Sequence, residues 1–378
     1  MNVQREEVLQ HFLENVVEKR KVENLRALEY FFQVSKDELA GEFRQSFRGI
    51  CRSFKKQETQ MSKGALGHIT FSMLRTELLE GNHTYLVEGT DEDWFFDLEP
   101  FLATYDASWA FHFLDQLIVE LSEQSKTFMG AITQPDIDSI KLMLAVHYHQ
   151  YVISLARYAM PAVSACPEYV ALDKELAVEI RVGEYLDTSE VVYMEDHSVK
   201  ESEEIRAWLA EKLEDEYPYE VFTELNLSSG NYESLDLRYA FFQKSNLSAS
   251  QMRHCLLVGA NFKGSHLIET DLSFSSIHEV DFSNCQLQGA IFRQVEGASG
   301  LQEPPNWEMA GYLPVRFNGA NLENANFSRA NLQGACFVGA NLKGVDFTGA
   351  NLEKALFSNA AKDDLQLEEY QVSSIIWT

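Results

Sequence analysis

The sequence predicts an α+β multidomain chain: an α-rich N-terminal domain with a small β element, followed by a repeat solenoid. Three observations carry this. Every fifth residue from Phe222 to Phe292 is a large hydrophobe, and the register resumes from Phe317 to Phe357. Apolar residues recur at helical spacing through most of the first 60 residues. Between these regions, short stretches rich in β-formers and bounded by turn residues interrupt the helical pattern.

From the N-terminus, Val8, Leu9, Phe12, Leu13, Val16 and Val17 mark one amphipathic helix, and Leu25, Leu28, Phe31 and Phe32 continue the pattern. Ser35 followed by Glu38 reads as a capping box, so a new helix is expected to open there and run through Phe43, Phe47 and Phe54. The stretch from Gly67 to Leu79 and that from His83 to Gly89 flank a Glu80-Gly81-Asn82 turn and predict a β-hairpin, although Ser72 to Leu79 also suits a helix. In Thr90 to Pro100, Asp91, Asp93, Asp97 and Glu99 interleave with Trp94, Phe96 and Leu98, the pattern of an amphipathic strand. A calcium loop is disfavoured there because Phe96 stands where the loop needs glycine. Helices are expected over 101–126 and 136–159, the second broken by Pro161, then a strand pair over 178–186 and 189–195 and an acidic helix from Lys200 to Glu216. No known family is suggested by this N-terminal region.

In the C-terminal third, the units ANLEN, ANFSR, ANLQG from Ala320 show the repeat most clearly. A period of 3.6 would scatter these hydrophobes around a helix, and a period of 2 would alternate them across a strand. A stacked coil in which each pentad forms one side instead points one large side chain inward per unit. Two residues before each centre the position is small, as at Ala240, Ser245, Cys255, Ser265 and Ala320, which fits a cramped inward site. Asn or Asp immediately before the centre, as at Asn226, Asp271 and Asn341, suits local backbone hydrogen bonding in tight turns.

These pentads, small residue then Asn or Asp then Leu or Phe, resemble the pentapeptide repeat family. The resemblance covers residues 220–360. It implies a right-handed quadrilateral β-helix with four pentads to a coil, hence six coils and a height of about 29 Å at roughly 4.8 Å per stacked strand. The expected organisation is 1–172 as the α-rich domain, 173–219 as an acidic strand and helix connecting region, 220–360 as the solenoid with an inserted loop at 296–311, and 361–378 as a C-terminal cap. The wider break from Gly297 to Pro314 returns in phase, and Tyr312 with Ala310 still fits the register. Pro304, Pro305, Trp307 and Tyr312 form a candidate partner-binding tip, with a loop folded back over the solenoid as the alternative. Ile375, Ile376 and Trp377 would cap the open end or form a dimer seam; capping is favoured because a bare end exposes core and strand edges.

The chain carries 58 acidic and 31 basic residues for a net charge of −27, which excludes nonspecific nucleic-acid binding. The acidity is mainly N-terminal, and residues 173–220 alone hold 16 acidic against 5 basic residues. A solvated linker is favoured there over a site for a basic partner. No apolar run of membrane-spanning length and no leader pattern is present, so a cytoplasmic, bacterial protein without membrane association is expected. The five cysteines lack CxxC spacing, and Cys255 and Cys285 fall on the cramped inward position. His147 and His149 lie two apart on a predicted helix, about 200° around its axis, so they do not share a ligand. No GxSxG, P-loop, GxGxxG or HExxH occurs, so neither a catalytic site nor a cofactor or metal site is expected.

The expected function is therefore non-enzymatic protein–protein interaction or scaffolding by a rigid solenoid. The family resemblance supplies an alternative, since some members are dimeric acidic rods that mimic duplex DNA and bind DNA gyrase or topoisomerase IV, inhibiting them or protecting them from poisons. Residues 220–360 hold 14 acidic and 9 basic residues, whereas 29 Å of duplex presents about 17 charges. Net charge alone gives mimicry little support unless the acidic residues gather on one face.

Overall fold

A computed structural model describes residues 2–59, 64–163, 165–300, 313–362 and 365–378. The described chain divides into two compact units, the first over residues 2–195 and the second over 196–300 and 313–378.

In the first unit, α1 (Asn2–Phe12) passes through a π-helical turn at Leu13–Val17 into α2 (Glu18–Glu58). The capping box expected at Ser35 is not used: α2 runs through it for 41 residues. The buried stripe of Leu25, Leu28, Phe32, Leu39, Phe43, Phe47, Ile50 and Phe54 stays in helical phase across that point, and burial of this continuous face overrides the local stop signal. The hairpin expectation and its helical alternative both hold in part. β1 (Leu66–Met73) and β2 (Thr84–Thr90) pair antiparallel, with the short α3 (Arg75–Leu79) between them.

The segment Thr90–Pro100 is not a strand. It folds into turns around a 3-10 turn at Trp94–Phe96, where Asp91 Oδ1 accepts the Asp93 N–H at 3.0 Å and Asp97 Oδ1 accepts the Glu99 N–H at 2.9 Å. These short local bonds compete with extended structure. Nor does a helix begin at residue 101: β3 (Phe101–Asp106) pairs with β2 in the register Tyr85↔Tyr105, and α4 (Ser108–Ser125) follows. α5 (Gln134–Val163) carries Pro161 inside its last turn instead of ending before it.

After α6 (Pro167–Val170), β4 (Lys174–Glu184) and β5 (Ser189–Asp196) complete a five-stranded sheet of order β3-β2-β1-β4-β5, in which β1 and β4 are parallel. Ile69, Phe71, Tyr85 and Val87 point into the core with the helices, as the 5.7 Å ring contact of Phe43 with Phe71 illustrates. Strand alternation sends Thr70, Glu88 and Thr90 to the opposite face.

The second unit opens with α7 (Ser202–Glu211) and continues into the solenoid. Parallel bridges join residues 20 apart, such as Val221↔Phe241 and Asn321↔Asn341, so four pentads make one coil and four bridge ladders run along the stack. The ladders begin at Val221, Asn226, Asn231 and Asp236 and span six coils. The pentad centres are buried throughout. One column consists entirely of phenylalanine, Phe222, Phe242, Phe262, Phe282, Phe317, Phe337 and Phe357, with neighbouring ring centroids 4.7 to 5.2 Å apart. The chain ends with β6 (Leu356–Phe357), a 3-10 turn at Asn359–Ala361, α8 (Glu369–Ser374) and β7 (Ile376–Trp377).

Candidate functional site

Each pentad assigns most of its chemistry to its own construction. The Asn or Asp before the centre accepts the N–H two residues on, at 3.2 Å for Asn231 to Glu233, 2.9 Å for Asp281 to Ser283 and 2.8 Å for Asn326 to Ser328. Where Asn recurs on one ladder the amides also bond to each other, Asn341 Nδ2 donating to Asn321 Oδ1 at 2.9 Å. At several small positions of the earlier coils a side-chain donor is present. Ser250 Oγ donates to the Leu227 carbonyl at 3.0 Å, Thr270 Oγ1 to Leu247 at 2.8 Å and Cys285 Sγ to Phe262 at 2.8 Å. Burial pushes the Cys255 and Cys285 thiols up to about 12, which keeps them protonated and unreactive. Two residues after each centre from Phe222 to Leu352 the backbone turns at positive φ, as at Gly259 with 69° and Tyr239 with 59°. This is the third position of a turn closed by the Ala240 N–H donating to the Leu237 carbonyl at 3.2 Å.

The remaining side chains of each pentad point outward. Leu256, Ile268, Phe274 and Ile291 are apolar and 36 to 46% exposed on the second to fourth coils. His254 stacks on Phe274 with centroids 5.0 Å apart, making an aromatic step beside Leu256. Acidic side chains do not gather on one ladder. They are paired along all four: Glu224 with Lys244 at 2.8 Å, Glu323 with Lys343 at 3.2 Å, Glu233 with Arg253 at 3.3 Å and Asp236 with Arg238 at 2.5 Å.

The inserted loop leaves between two consecutive ladder positions, Glu296 and Arg316, which stand 20 residues apart where five is the rule. Both remain bridged, Glu296 to Asn331 and Arg316 to Asp281, so the stack is not interrupted. Gly297 is required at the exit because a Cβ there would lie 2.8 Å from Val315 Cγ2 and 2.9 Å from Ile277 Cγ1. At the return, Glu279 Oε1 accepts the Leu313 N–H at 3.1 Å. Pro304, Pro305, Trp307 and Tyr312 lie outside the described residues.

The two ends are covered by different devices. At the first coil, Trp208 of α7 lies against Tyr217 and Phe222 at 5.0 and 6.0 Å, Lys200 Nζ donates to the Val221 carbonyl at 2.9 Å, and Ser202 Oγ accepts the Asn226 N–H at 3.0 Å. The acidic stretch 173–219, expected as one connecting region, thus contributes β4 and β5 to the first unit and α7 to the second. At the last coil, β7 pairs with β6, placing Ile376 opposite Leu356 and Trp377 opposite Phe357. Ile375 is buried, Ile376 is exposed, and the Trp377 ring lies 6.0 Å from that of Phe357. Gln371 of α8, unremarked in the sequence, is buried and donates from Nε2 to the Phe347 and Ala350 carbonyls at 2.8 and 2.9 Å. It answers two peptide carbonyls that a further coil would otherwise satisfy.

In the first unit, His149 is buried with Nδ1 hydrogen-bonded to the Tyr85 hydroxyl at 2.7 Å, and desolvation lowers its pKa to about 4, so it is a neutral core residue. Among the described residues, no helix is long and apolar enough to cross a membrane.

The sequence profile of the pentapeptide repeats family matches residues 255–294, 315–344 and 340–360 in eight copies. Among solved structures, the chain is similar to a pentapeptide repeat protein, Rfr23, from the cyanobacterium Cyanothece 51142, with 21% identity over 37% of this chain and 88% of that one and a TM-score of 0.22. It is also similar to HetL from Nostoc sp. strain PCC 7120, a pentapeptide repeat protein involved in heterocyst differentiation regulation, with 19% identity over 42% and 94% of the two chains and a TM-score of 0.18. QnrB1, a plasmid-mediated fluoroquinolone resistance protein, matches with 18% identity over 43% and 87% and a TM-score of 0.30. No curated protein matches the chain. The profile match and the five-residue geometry together identify the C-terminal part of this chain, within residues 255–360, as pentapeptide repeats.

Proposed function

We propose that the chain is a non-enzymatic scaffold that binds a protein partner through the outer wall of a right-handed quadrilateral solenoid. The observation that carries this reading is the division of labour within each pentad. Centre, small position, Asx residue and left-handed corner are all engaged in building the coil, which leaves a preorganised wall whose outward residues are free to vary. On that wall, Leu256 and the His254–Phe274 step supply an apolar and aromatic anchor of the kind that dominates protein interfaces. Pairing of β7 with β6 supports a capping role for Ile375, Ile376 and Trp377 in preference to a dimer seam.

Binding to DNA gyrase or topoisomerase IV is the specific alternative, resting on the family resemblance. The pairing of acids with bases along all four ladders weighs against duplex mimicry. A supercoiling assay with DNA gyrase, titrated with full-length protein with and without a quinolone, separates the two. Inhibition or drug protection at micromolar protein, abolished by Phe274→Asp, would favour the gyrase reading. For the scaffold reading, a photo-crosslinking residue at Phe274 is expected to trap a protein partner in cells, whereas one at Lys343 on another ladder is not. Equal labelling from both positions would reject the proposed contact surface.

A further inference from the structure

The sheet of the first unit carries a cavity on the face turned away from its helices. Its volume is about 270 Å³, and its floor comes from the adjacent strands β1 and β2, where Thr70 stands directly opposite Glu88 and Thr90 lies two residues further along β2. The loop after β2 supplies Phe95 and Leu98 to one wall, and the β4–β5 turn supplies Leu186 to the other. These three side chains are 54, 94 and 72% exposed, so the rim is apolar.

The floor is built from polar groups that lack partners. Thr70 and Thr90 are each only 7% exposed, and neither hydroxyl oxygen has a hydrogen-bond partner. Burying an unsatisfied hydroxyl is costly, so a buried pair facing one cavity points to a guest that completes them. Glu88 is half-buried, and desolvation alone raises its carboxyl pKa, with no cation acting against that shift. No lysine or arginine lines the cavity, while Asp97, Glu184 and Asp187 do. Arg75 is held by Glu184, and Arg181 by Glu179 and Ser189.

We propose that this cavity binds an organic ammonium ion on a short hydrocarbon stem, either a free alkylamine or a lysine side chain. The ammonium group brings three donors, matching the Glu88 carboxylate and the Thr70 and Thr90 hydroxyls, and the stem lies against Phe95, Leu98 and Leu186. Other guests fit less well. An anion would be repelled by four carboxylates, Glu88, Asp97, Glu184 and Asp187, an apolar molecule leaves both hydroxyls orphaned, and no metal-binding group of side chains occurs among the described residues.

Calorimetric titration of the full-length protein with n-hexylammonium, against 1-hexanol as neutral counterpart, tests this. Saturable one-site binding of the amine at micromolar to low millimolar concentration, about tenfold or more tighter than the alcohol, is expected. Glu88→Gln should weaken the amine about tenfold and leave the alcohol nearly unchanged, and the Thr70→Val/Thr90→Val pair should weaken the amine by a similar factor. Phe95→Ala, at an exposed rim position, should weaken both and serves if a floor variant does not fold. N-acetyl-lysine methylamide distinguishes the sources: binding as tight as hexylammonium assigns a lysine side chain, and weaker binding assigns a free amine. Equal affinity for amine and alcohol, or no saturable amine binding at ten millimolar, would overturn the proposal.

Discussion

At the scale of single residues, the repeat depends on positions that tolerate left-handed backbone. Gly259 has φ of 69°, and a Cβ placed on it would lie 2.1 Å from the Tyr239 ring, which stacks on Tyr219 at 5.1 Å. Gly259→Ala is therefore expected to destabilise the second unit by about 1–3 kcal/mol. Part of that loss should be recovered when Tyr239→Ala removes the clash, so a double-mutant cycle by urea denaturation should show favourable coupling, and strict additivity would contradict the overlap. His149 gives a pH dependence to the first unit. Its pKa is about 4 when folded against an ordinary value of 6.5, so the unfolded chain binds a proton that the folded chain does not between those limits. Stability is complete above pH 6.5 and falls by up to about 3 kcal/mol as pH drops toward 4. The urea midpoint measured across that range should decline less steeply in His149→Gln than in the native protein. The cycle of pentad positions was legible residue by residue in the sequence because each position repeats often enough to average out exceptions. Thr70, Thr90 and Gln371 were not legible: each is an ordinary polar residue whose meaning comes from what surrounds it.

Among the elements, local pattern specifies structure where one periodicity rules and misleads where two compete. Helix α5 and the pair β4–β5 lie close to where pattern places them, whereas α4 starts seven residues late, at Ser108, and α7 stops at Glu211. The capping-box signal at Ser35 failed because it is a preference worth about 1 kcal/mol, whereas the buried face of α2 runs unbroken from Leu25 to Phe54. Ser35→Ala should accordingly change stability by less than about 0.5 kcal/mol in a urea titration, and a loss near 1 kcal/mol would restore the cap. The segment from Phe101 to Asp106 reads as the start of a helix, but its pairing with β2 is a long-range contact that no local window contains. In Thr90–Pro100, alternating acids and aromatics suggested a strand, yet the acids cap turns instead. Short Asx bonds and strand patterning draw on the same residue types, so the pattern by itself does not decide between them.

For the molecule as a whole, two units with separate cores mean that stability is not a single quantity. Within the solenoid each coil touches only its neighbours, so damage at one end should stay local. Trp208→Ala, removing the ring that lies against Tyr217 and Phe222, is expected to speed hydrogen exchange at amides near Phe222–Phe242 while leaving Phe317–Phe357 protected. Uniform loss of protection would show instead that the stack opens as one cooperative body. The period of five, the inward residues, the in-phase insertion and the acidity are written in the primary structure, because a repeat puts its geometry into local spacing. Folding alone pairs acids with bases along all four ladders, sets α7 and Gln371 over the coil ends, and brings two threonines and a glutamate together on one sheet face. Those features join residues far apart in the chain, and the free energy that brings them together resides in burial and pairing that no single segment contains.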